Sequence, residues 1–205
     1  MRKGCGLNMQ YNERDKLFKL TSEYLSIGIT SDGKRKVTVA IPWETTAHAY
    51  NMCIPDVYIS PDDLSDKEIM CKIRTFKVIG CYVWESLLDY AFITDFAELQ
   101  DLYIICGDGI RNLDFLTPLH KCRMLFLGNA HLNNIDKLIE LNAKKDSIFD
   151  GLKCVGLYNC TVQDISAFEK KEHYFMEFLV WEPKSNGQNR WNKVKAARKR
   201  HIRIE

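Results

Sequence analysis

The sequence predicts an α/β protein in which a short solenoid with a parallel sheet follows a mixed α+β cap. The first observation is a set of six apolar positions that recurs in one order over residues 99–116, 122–138 and 152–168. The second is that each segment opens with alternating apolar residues, which predict a strand, and continues with three more, which predict a return segment. The third is a change of pattern before residue 76, which indicates a separate cap.

The aligned residues resemble the leucine-rich repeat, L-x-x-L-x-L-x-x-[NC]-x-L followed by x-x-I-x-x-L. They are Leu99, Leu102, Ile104, Ile110, Leu113 and Leu116; Cys122, Leu125, Leu127, Leu132, Ile135 and Leu138; and Leu152, Val155, Leu157, Val162, Ile165 and Phe168. Four short segments are similar to the return segments of internalin-type bacterial repeats, which are about 22 residues long. These segments are ITDF, IRNLDFL, LNNIDKL and VQDISAF. The resemblance covers residues 76–183, about four and a half copies, and implies a parallel concave sheet that binds proteins and a convex side of 3₁₀ or irregular turns.

One position of the repeat is filled irregularly. Where the family has Asn or Cys, the three segments have Gly107, Ala130 and Cys160. In the family this side chain hydrogen-bonds the neighbouring loop from inside the solenoid. We therefore expect a somewhat irregular stack of repeats.

The first 75 residues are predicted to form the cap. Apolar residues at helical spacing indicate a helix over residues 13–24. Alternating apolar residues at 25–29 and 37–41 then predict a β-hairpin, because a three-residue loop at 31–33 places both apolar rows on one face. Residues 54–59 predict one more short strand.

Ser60 and Pro61 predict the start of a helix that extends to about Met70. Ser is a preferred N-cap residue, and Pro is favoured in the first helical turn. The acidic residues over 62–68 could indicate a calcium site, but they lack the spacing and the glycine of a calcium-binding loop. We interpret them as favourable charges at a helix N-terminus.

Large apolar side chains occupy the strand positions that would face outward from the solenoid. These residues are Tyr82, Tyr103, Ile105, Phe126, Tyr158, Leu179 and Trp181, with Asp101, Met124, Asn129, Asn159, Lys153 and Glu182 nearby. A contiguous exposed apolar patch marks an interface, and Tyr and Trp often dominate binding there. We predict a non-enzymatic module that binds an unidentified protein through this concave face. Coverage of the face by the N-terminal region or the tail, and dimerisation, remain alternatives.

Residues 184–205 form a basic tail that is predicted to be helical. Its eight Lys and Arg residues and one Glu give it a net charge of +7, which leaves −5 for the rest of a chain whose total is +2. Such a tail favours contact with nucleic acid or an acidic surface as an alternative function. The residues that would make this contact are Lys193, Lys195, Arg198, Lys199 and Arg200. Docking of the tail on the last repeat is the simpler structural interpretation.

The sequence contains no catalytic, cofactor or metal signature, so we predict no enzyme activity, cofactor or metal ion. CGDGI at 106–110 lacks the G-x-G-x-x-G spacing and is interpreted as a turn. Residues 41–53 contain Trp43, Glu44, His48 and Cys53, which could line a cleft, although their spacing does not require one. The eight cysteines lack disulfide or zinc spacing, and neither a signal peptide nor a membrane-spanning run is evident, which predicts reduced thiols in a cytoplasmic protein.

Overall fold

A computed structural model describes residues 11–31, 55–142, 151–170, 175, 177–181 and 202–204 of the chain. The helices are α1 (Tyr11–Lys19), α2 (Lys67–Ile73), α3 (Asp136–Asn142) and α4 (Ser166–Lys170), and the 3₁₀ helices are η1 (Pro61–Ser65), η2 (Ala91–Asp95) and η3 (Asp114–Leu116). The strands are β1 (Tyr24–Ile29), β2 (Val57–Ile59), β3 (Lys77–Val83), β4 (Asp101–Ile104), β5 (Met124–Gly128), β6 (His131–Asn134), β7 (Cys154–Tyr158), β8 (Thr161–Asp164), β9 (Glu177–Trp181) and β10 (Ile202–Ile204).

The fold is mixed α/β and is organised by a parallel sheet. Eight strands lie in the order β10-β9-β7-β5-β4-β3-β1-β2, and every neighbouring pair in this sheet is parallel. The strands β6 and β8 form a separate parallel pair. From β3 to β10 the strands of the large sheet follow one another in chain order, whereas β1 lies between β2 and β3.

The register of the large sheet places equivalent apolar residues side by side. One row joins Cys81, Leu102, Leu125, Val155 and Phe178, and each of these residues is buried. This register is the one predicted from the alignment of the three segments. Because side chains alternate between the two faces of a strand, such rows build a continuous core on one side of the sheet.

Short helices pack against the core between the strands. Ile93, Ile135 and Leu138 lie in or next to these return segments and are buried in the same apolar cluster as the strand rows. The predicted 3₁₀ conformation is found in η2 and η3. The next two return segments instead form the short α-helices α3 and α4.

Cys160 hydrogen-bonds to the neighbouring strand at the position where the repeat pattern has Asn or Cys. Its Sγ donates to the carbonyl oxygen of Leu127 at 3.2 Å. Burial raises the pKa of this thiol to about 12, although hydrogen bonds with the backbone act in the opposite direction. Burial likewise raises the pKa of Cys122 to about 12 and that of Cys81 well above its usual value. These three thiols are therefore neutral packing groups at physiological pH.

The helix near the N-terminus is shorter than predicted. It covers Tyr11–Lys19 rather than residues 13–24. Ser22 provides a local reason, because its hydroxyl both donates to the carbonyl of Tyr24 and accepts from the amide of Tyr24. Such side-chain bonds to the nearby backbone compete with helical hydrogen bonding.

The predicted hairpin pairing of β1 is wrong. Ile27 pairs with Val57 on one side and with Cys81 on the other, both in parallel strands. Both edges of β1 are occupied at that position, so no edge is left for an antiparallel partner. The predicted second hairpin strand, over residues 37–41, lies outside the described residues.

The helix predicted from Ser60 is divided into η1 and α2. The Ser60 hydroxyl accepts from the amide of Asp63, and the Asp63 carboxylate accepts from the amide of Ser60 at 2.7 Å, which is a capping box. Asp66 then caps α2 by accepting from the amides of Glu68 and Ile69. These contacts confirm Ser60 as an N-cap, with Asp63 completing the capping box and Asp66 capping α2. The helical region ends at Ile73 rather than near Met70.

Both ends of the large sheet differ from the predicted organisation. Strands β1 and β2, from the region predicted as a cap, belong to the same sheet as the later strands. The edge strand β2 is covered by α1, where Glu13 accepts a hydrogen bond from the amide of Tyr58 at 2.9 Å. At the other end, Ile202–Ile204 form a strand, so the prediction of a helical tail is wrong for these three residues.

Candidate functional site

A row of stacked aromatic rings lies on the face of the large sheet that is opposite the main core. We call this row, formed by Tyr58, Trp84, Tyr82, Tyr103 and Phe126, the aromatic row. Successive ring centroids along it are 6.1, 6.1, 5.1 and 6.1 Å apart. The last three pairs are nearly parallel, with interplanar angles of 18–24°. Stacked pairs of this kind contribute about 0.5–1.5 kcal/mol each beyond the burial of their area.

Glycines allow the rings to approach one another. A Cβ atom on Gly28 would lie 2.7 Å from Cδ1 of Tyr58 and 2.9 Å from Cζ3 of Trp84. The missing side chain therefore lets Tyr58 of β2 meet Trp84, which follows β3, across the intervening strand β1. Gly80 has a related role, because Cε2 of Tyr82 lies 3.0 Å from the position of its Cβ.

The aromatic row is more buried than the sequence predicted. Tyr82 is 4% exposed and Phe126 is 6% exposed, so the prediction that these two side chains are exposed is wrong. Part of the reason is the stacking itself, since each ring covers the faces of its neighbours. Tyr103 and Ile105 are partly buried and pack against Phe126 in a cluster separate from the main core.

Among the predicted binding residues whose side chains the structure describes, Tyr158 is the most accessible, with 49% of its surface exposed. In the register of the sheet it lies beside Gly128 on one side and Trp181 on the other. Leu179 pairs with Gly156 in the same register. The register therefore places Gly156 and the position of Leu179 in line with Tyr103 and Phe126.

Two asparagines form an amide ladder at one end of this face. The side-chain amide of Asn159 donates to Oδ1 of Asn129 at 2.7 Å, and that of Asn129 donates to the carbonyl of Ile105 at 3.2 Å. Both residues have positive φ angles, 51° for Asn159 and 60° for Asn129. Asn adopts this left-handed conformation more readily than most residues. The ladder holds polar side chains in fixed positions beside Tyr158.

Asp101 and Met124 lie at the opposite margin, toward the start of the strands. They pair directly in the register of β4 and β5, and Asp101 pairs with Gly80 on its other side. The Tyr103 hydroxyl contacts the sulfur of Met124. Burial raises the pKa of the Asp101 carboxyl, and the charge of Arg123 partly offsets this effect.

Sequence reasoning missed two members of the aromatic row. Tyr58 belongs to the region predicted as a cap, and Trp84 is not one of the strand positions predicted to face outward, since it directly follows the end of β3. The spacing of Tyr58 from Tyr82, 24 residues, is similar to that between later register positions and is the signal that could have revealed it. No pattern in the sequence indicated that the ring of Trp84 reaches across Gly28.

Comparison with family models, with curated proteins and with solved structures found no match to this chain. Among the described residues, no helix combines the length and the apolar character that a membrane span requires. The same part of the chain contains no group of three or more His, Cys, Asp and Glu side chains arranged to hold a metal ion.

Two predicted sites fall outside the described residues. One is the basic set Lys193, Lys195, Arg198, Lys199 and Arg200. The other is the segment over residues 41–53 with its possible cleft. Nucleic-acid contact by the tail stays a prediction.

Proposed function

We propose that this chain is a non-enzymatic protein-binding module, a short leucine-rich-repeat solenoid that binds its partner through the aromatic side of its sheet. The observation that carries the proposal is the stacked aromatic row outside the main core, which leads toward the half-exposed side chain of Tyr158. Large aromatic side chains are enriched among the residues that dominate binding energy in interfaces.

The regular advance of the strands supports the solenoid part of the proposal. From β3 onward each strand of the large sheet pairs with the next, and from β3 to β9 a short helix lies between consecutive strands of this sheet. In repeat proteins this arrangement stacks equivalent side chains into an extended surface, which is the surface that they use for binding.

The chemistry near Tyr158 suits a protein ligand. A tyrosine offers a rigid apolar ring and a hydroxyl, so it loses little conformational entropy when a partner covers it. The amide ladder of Asn129 and Asn159 lies next to it and provides hydrogen-bonding groups at the rim. An apolar centre with polar groups around it is the usual anatomy of a protein interface.

Site-specific photocrosslinking tests this proposal. We expect benzoylphenylalanine in place of Tyr158 to crosslink a discrete protein in an extract of the source cells, and Tyr103→Ala to weaken that adduct. The matched control carries benzoylphenylalanine in place of Leu88, an exposed residue in the loop that follows β3. Equal labelling from both positions, or an adduct unaffected by Tyr103→Ala, would contradict the proposal.

A further inference from the structure

The amide ladder of Asn129 and Asn159 has a fixed hydrogen-bond polarity. It begins at the carbonyl oxygen of Ile105, which can only accept, so the Asn129 side chain has to present its NH₂ group there, at 3.2 Å. Oδ1 of Asn129 then accepts from the NH₂ group of Asn159 at 2.7 Å. Each side chain therefore donates back toward the end of β4, and the ladder ends in an acceptor, Oδ1 of Asn159.

This terminal acceptor is accessible and held in place. Asn159 is exposed, and no donor from the described part of the chain bonds to its Oδ1. The positive φ of 51° and the hydrogen bond to Asn129 restrict the position of the side chain. A ligand donor that bonds to Oδ1 would therefore meet a preformed acceptor, and it would extend the ladder by one rung.

A partner that covers Tyr158 also covers this acceptor, because the two residues are consecutive in the chain. The backbone amide of Asn129 donates to the carbonyl oxygen of Tyr158 at 2.9 Å, so Tyr158 and the ladder belong to one hydrogen-bonded end of the sheet. When a partner excludes water there, an acceptor left without a donor is costly. The partner must therefore supply a donor to Asn159.

We infer that Oδ1 of Asn159 binds the side-chain amide of an asparagine or glutamine residue of the partner protein. This inference rests on the proposed function and adds the chemistry of one contact within it. The ligand group is thus the same carboxamide that forms the two existing rungs of the ladder.

A carboxamide suits this acceptor better than the other donors that a protein offers. A lysine or arginine would lose the hydration of its charge, and the ladder contains no carboxylate to balance that charge. The backbone amides of a folded partner are mostly paired already. A carboxamide is neutral and has two donor hydrogens, so it can bond to Asn159 and keep a second bond within the partner.

Titration of the full chain with two peptides tests the contact. The probe is acetyl-(Ala-Gln)₄-amide. In its matched control each glutamine carries two methyl groups on the side-chain nitrogen, which keeps the carbonyl and removes both donor hydrogens. We expect the glutamine peptide to bind about fivefold more tightly, the effect of one neutral hydrogen bond. It should also shift the side-chain NH₂ resonances of Asn159 in the nitrogen-15 spectrum.

Two variants assign the preference to the ladder. Asn159→Gly should abolish it, because glycine keeps the positive φ and removes the acceptor. Thr161→Ala is the matched control at an exposed site two residues away that is not part of the ladder, and it should keep the preference. Backbone amide spectra of both variants report whether they remain folded.

Several outcomes would overturn the inference. They are equal binding of the two peptides, no binding of the glutamine peptide at millimolar concentration, or an Asn159→Gly variant that keeps the preference. Tighter binding of acetyl-(Ala-Arg)₄-amide that is lost in Asn159→Gly would also overturn it, since the donor would then be a cation.

Crosslinking from position 158 separates this failure from failure of the proposed function. If the adduct forms and depends on Tyr103 but is unchanged by Asn159→Gly, the face binds protein and the contact at Asn159 is wrong. If no adduct forms, the proposed function itself fails.

Discussion

The rings of Tyr58 and Trp84 meet across a strand to which neither belongs, with their centroids 6.1 Å apart. The contact is possible because Gly28 of β1 leaves the space between them empty. It links the edge strand β2 with the end of β3 and begins the aromatic row that continues to Phe126.

Gly28→Ala should destabilise the protein. The added methyl group would lie closer than 3.0 Å to both rings, so Tyr58 or Trp84 would have to move. Overpacking of this kind typically costs about 1–3 kcal/mol. The measurement is the free energy of unfolding from denaturant titration, with tryptophan fluorescence as a second signal.

Gly109→Ala is the matched control for that experiment. A Cβ atom on Gly109 would lie 3.5 Å from the carbonyl oxygen of Leu87, an ordinary van der Waals contact. We expect a much smaller change in stability at this position. Similar losses of stability in the two alanine variants would show that the space above Gly28 does not limit substitution at that position.

Asn129→Ala should be destabilising, whereas Asn129→Gly should retain more of the stability. Alanine would lose the hydrogen bond to Ile105 and would also have to adopt a φ angle of 60°, which costs a residue with a Cβ atom about 1–2 kcal/mol. Glycine loses the same hydrogen bond but adopts positive φ freely. Thermal and denaturant unfolding of both variants would measure the difference in stability. Equal stabilities of the alanine and glycine variants would argue against backbone strain at this position.

Asp101→Asn should raise stability at neutral pH. The native state raises the pKa of this carboxyl through burial, so the folded protein binds its proton more tightly than the unfolded chain. Stability therefore falls as pH rises through the window from the ordinary value of 3.8 up to the raised native value. The variant has no proton to lose, so its advantage should shrink on acidification toward that ordinary value. Denaturant titrations at pH 7 and pH 4 would reveal the change, and an advantage that grows at low pH would contradict it.

Cys71 should react with a thiol reagent in the native protein, while Cys81, Cys122 and Cys160 should not. Cys71 is exposed, whereas the other three are buried and their thiols have raised pKa values. Thiolate is the reactive form, so both access and ionisation are unfavourable in the core. Peptide mass spectrometry after brief iodoacetamide treatment at pH 8 would locate the label. Denatured protein, labelled at all four positions, provides the control.

The repeated strands could be predicted from the sequence because their cause is local and periodic. Leu102, Leu125 and Val155 occupy equivalent positions in equivalent segments, and the sheet pairs them in that register. The alternation of side chains along each strand also assigned Tyr103 and Phe126 to the side of the sheet opposite those three apolar residues. Periodicity reports which face a residue occupies, but it does not report what covers that face, so the burial of Tyr82 and Phe126 could not be predicted.

The arrangement of the first strands could not be predicted for a different reason. The pattern of Leu25, Ile27 and Ile29 identifies a strand without specifying its neighbours. A short loop with Asp32 and Gly33 favours the nearest apolar run as a hairpin partner. The structure instead pairs β1 with two strands farther along the chain, a choice made by tertiary packing over long sequence separations.

The position of β1 between β2 and β3 determines where the chain can be divided. A fragment that begins at residue 76 would remove β1 and leave β3 with a bare edge along its whole length, since all six residues of β1 pair with β3. Exposed hydrogen-bonding edges recruit other strands and lead to aggregation. The repeats would therefore be isolated more safely together with residues 24–75 than by a cut at the boundary that the sequence pattern indicates.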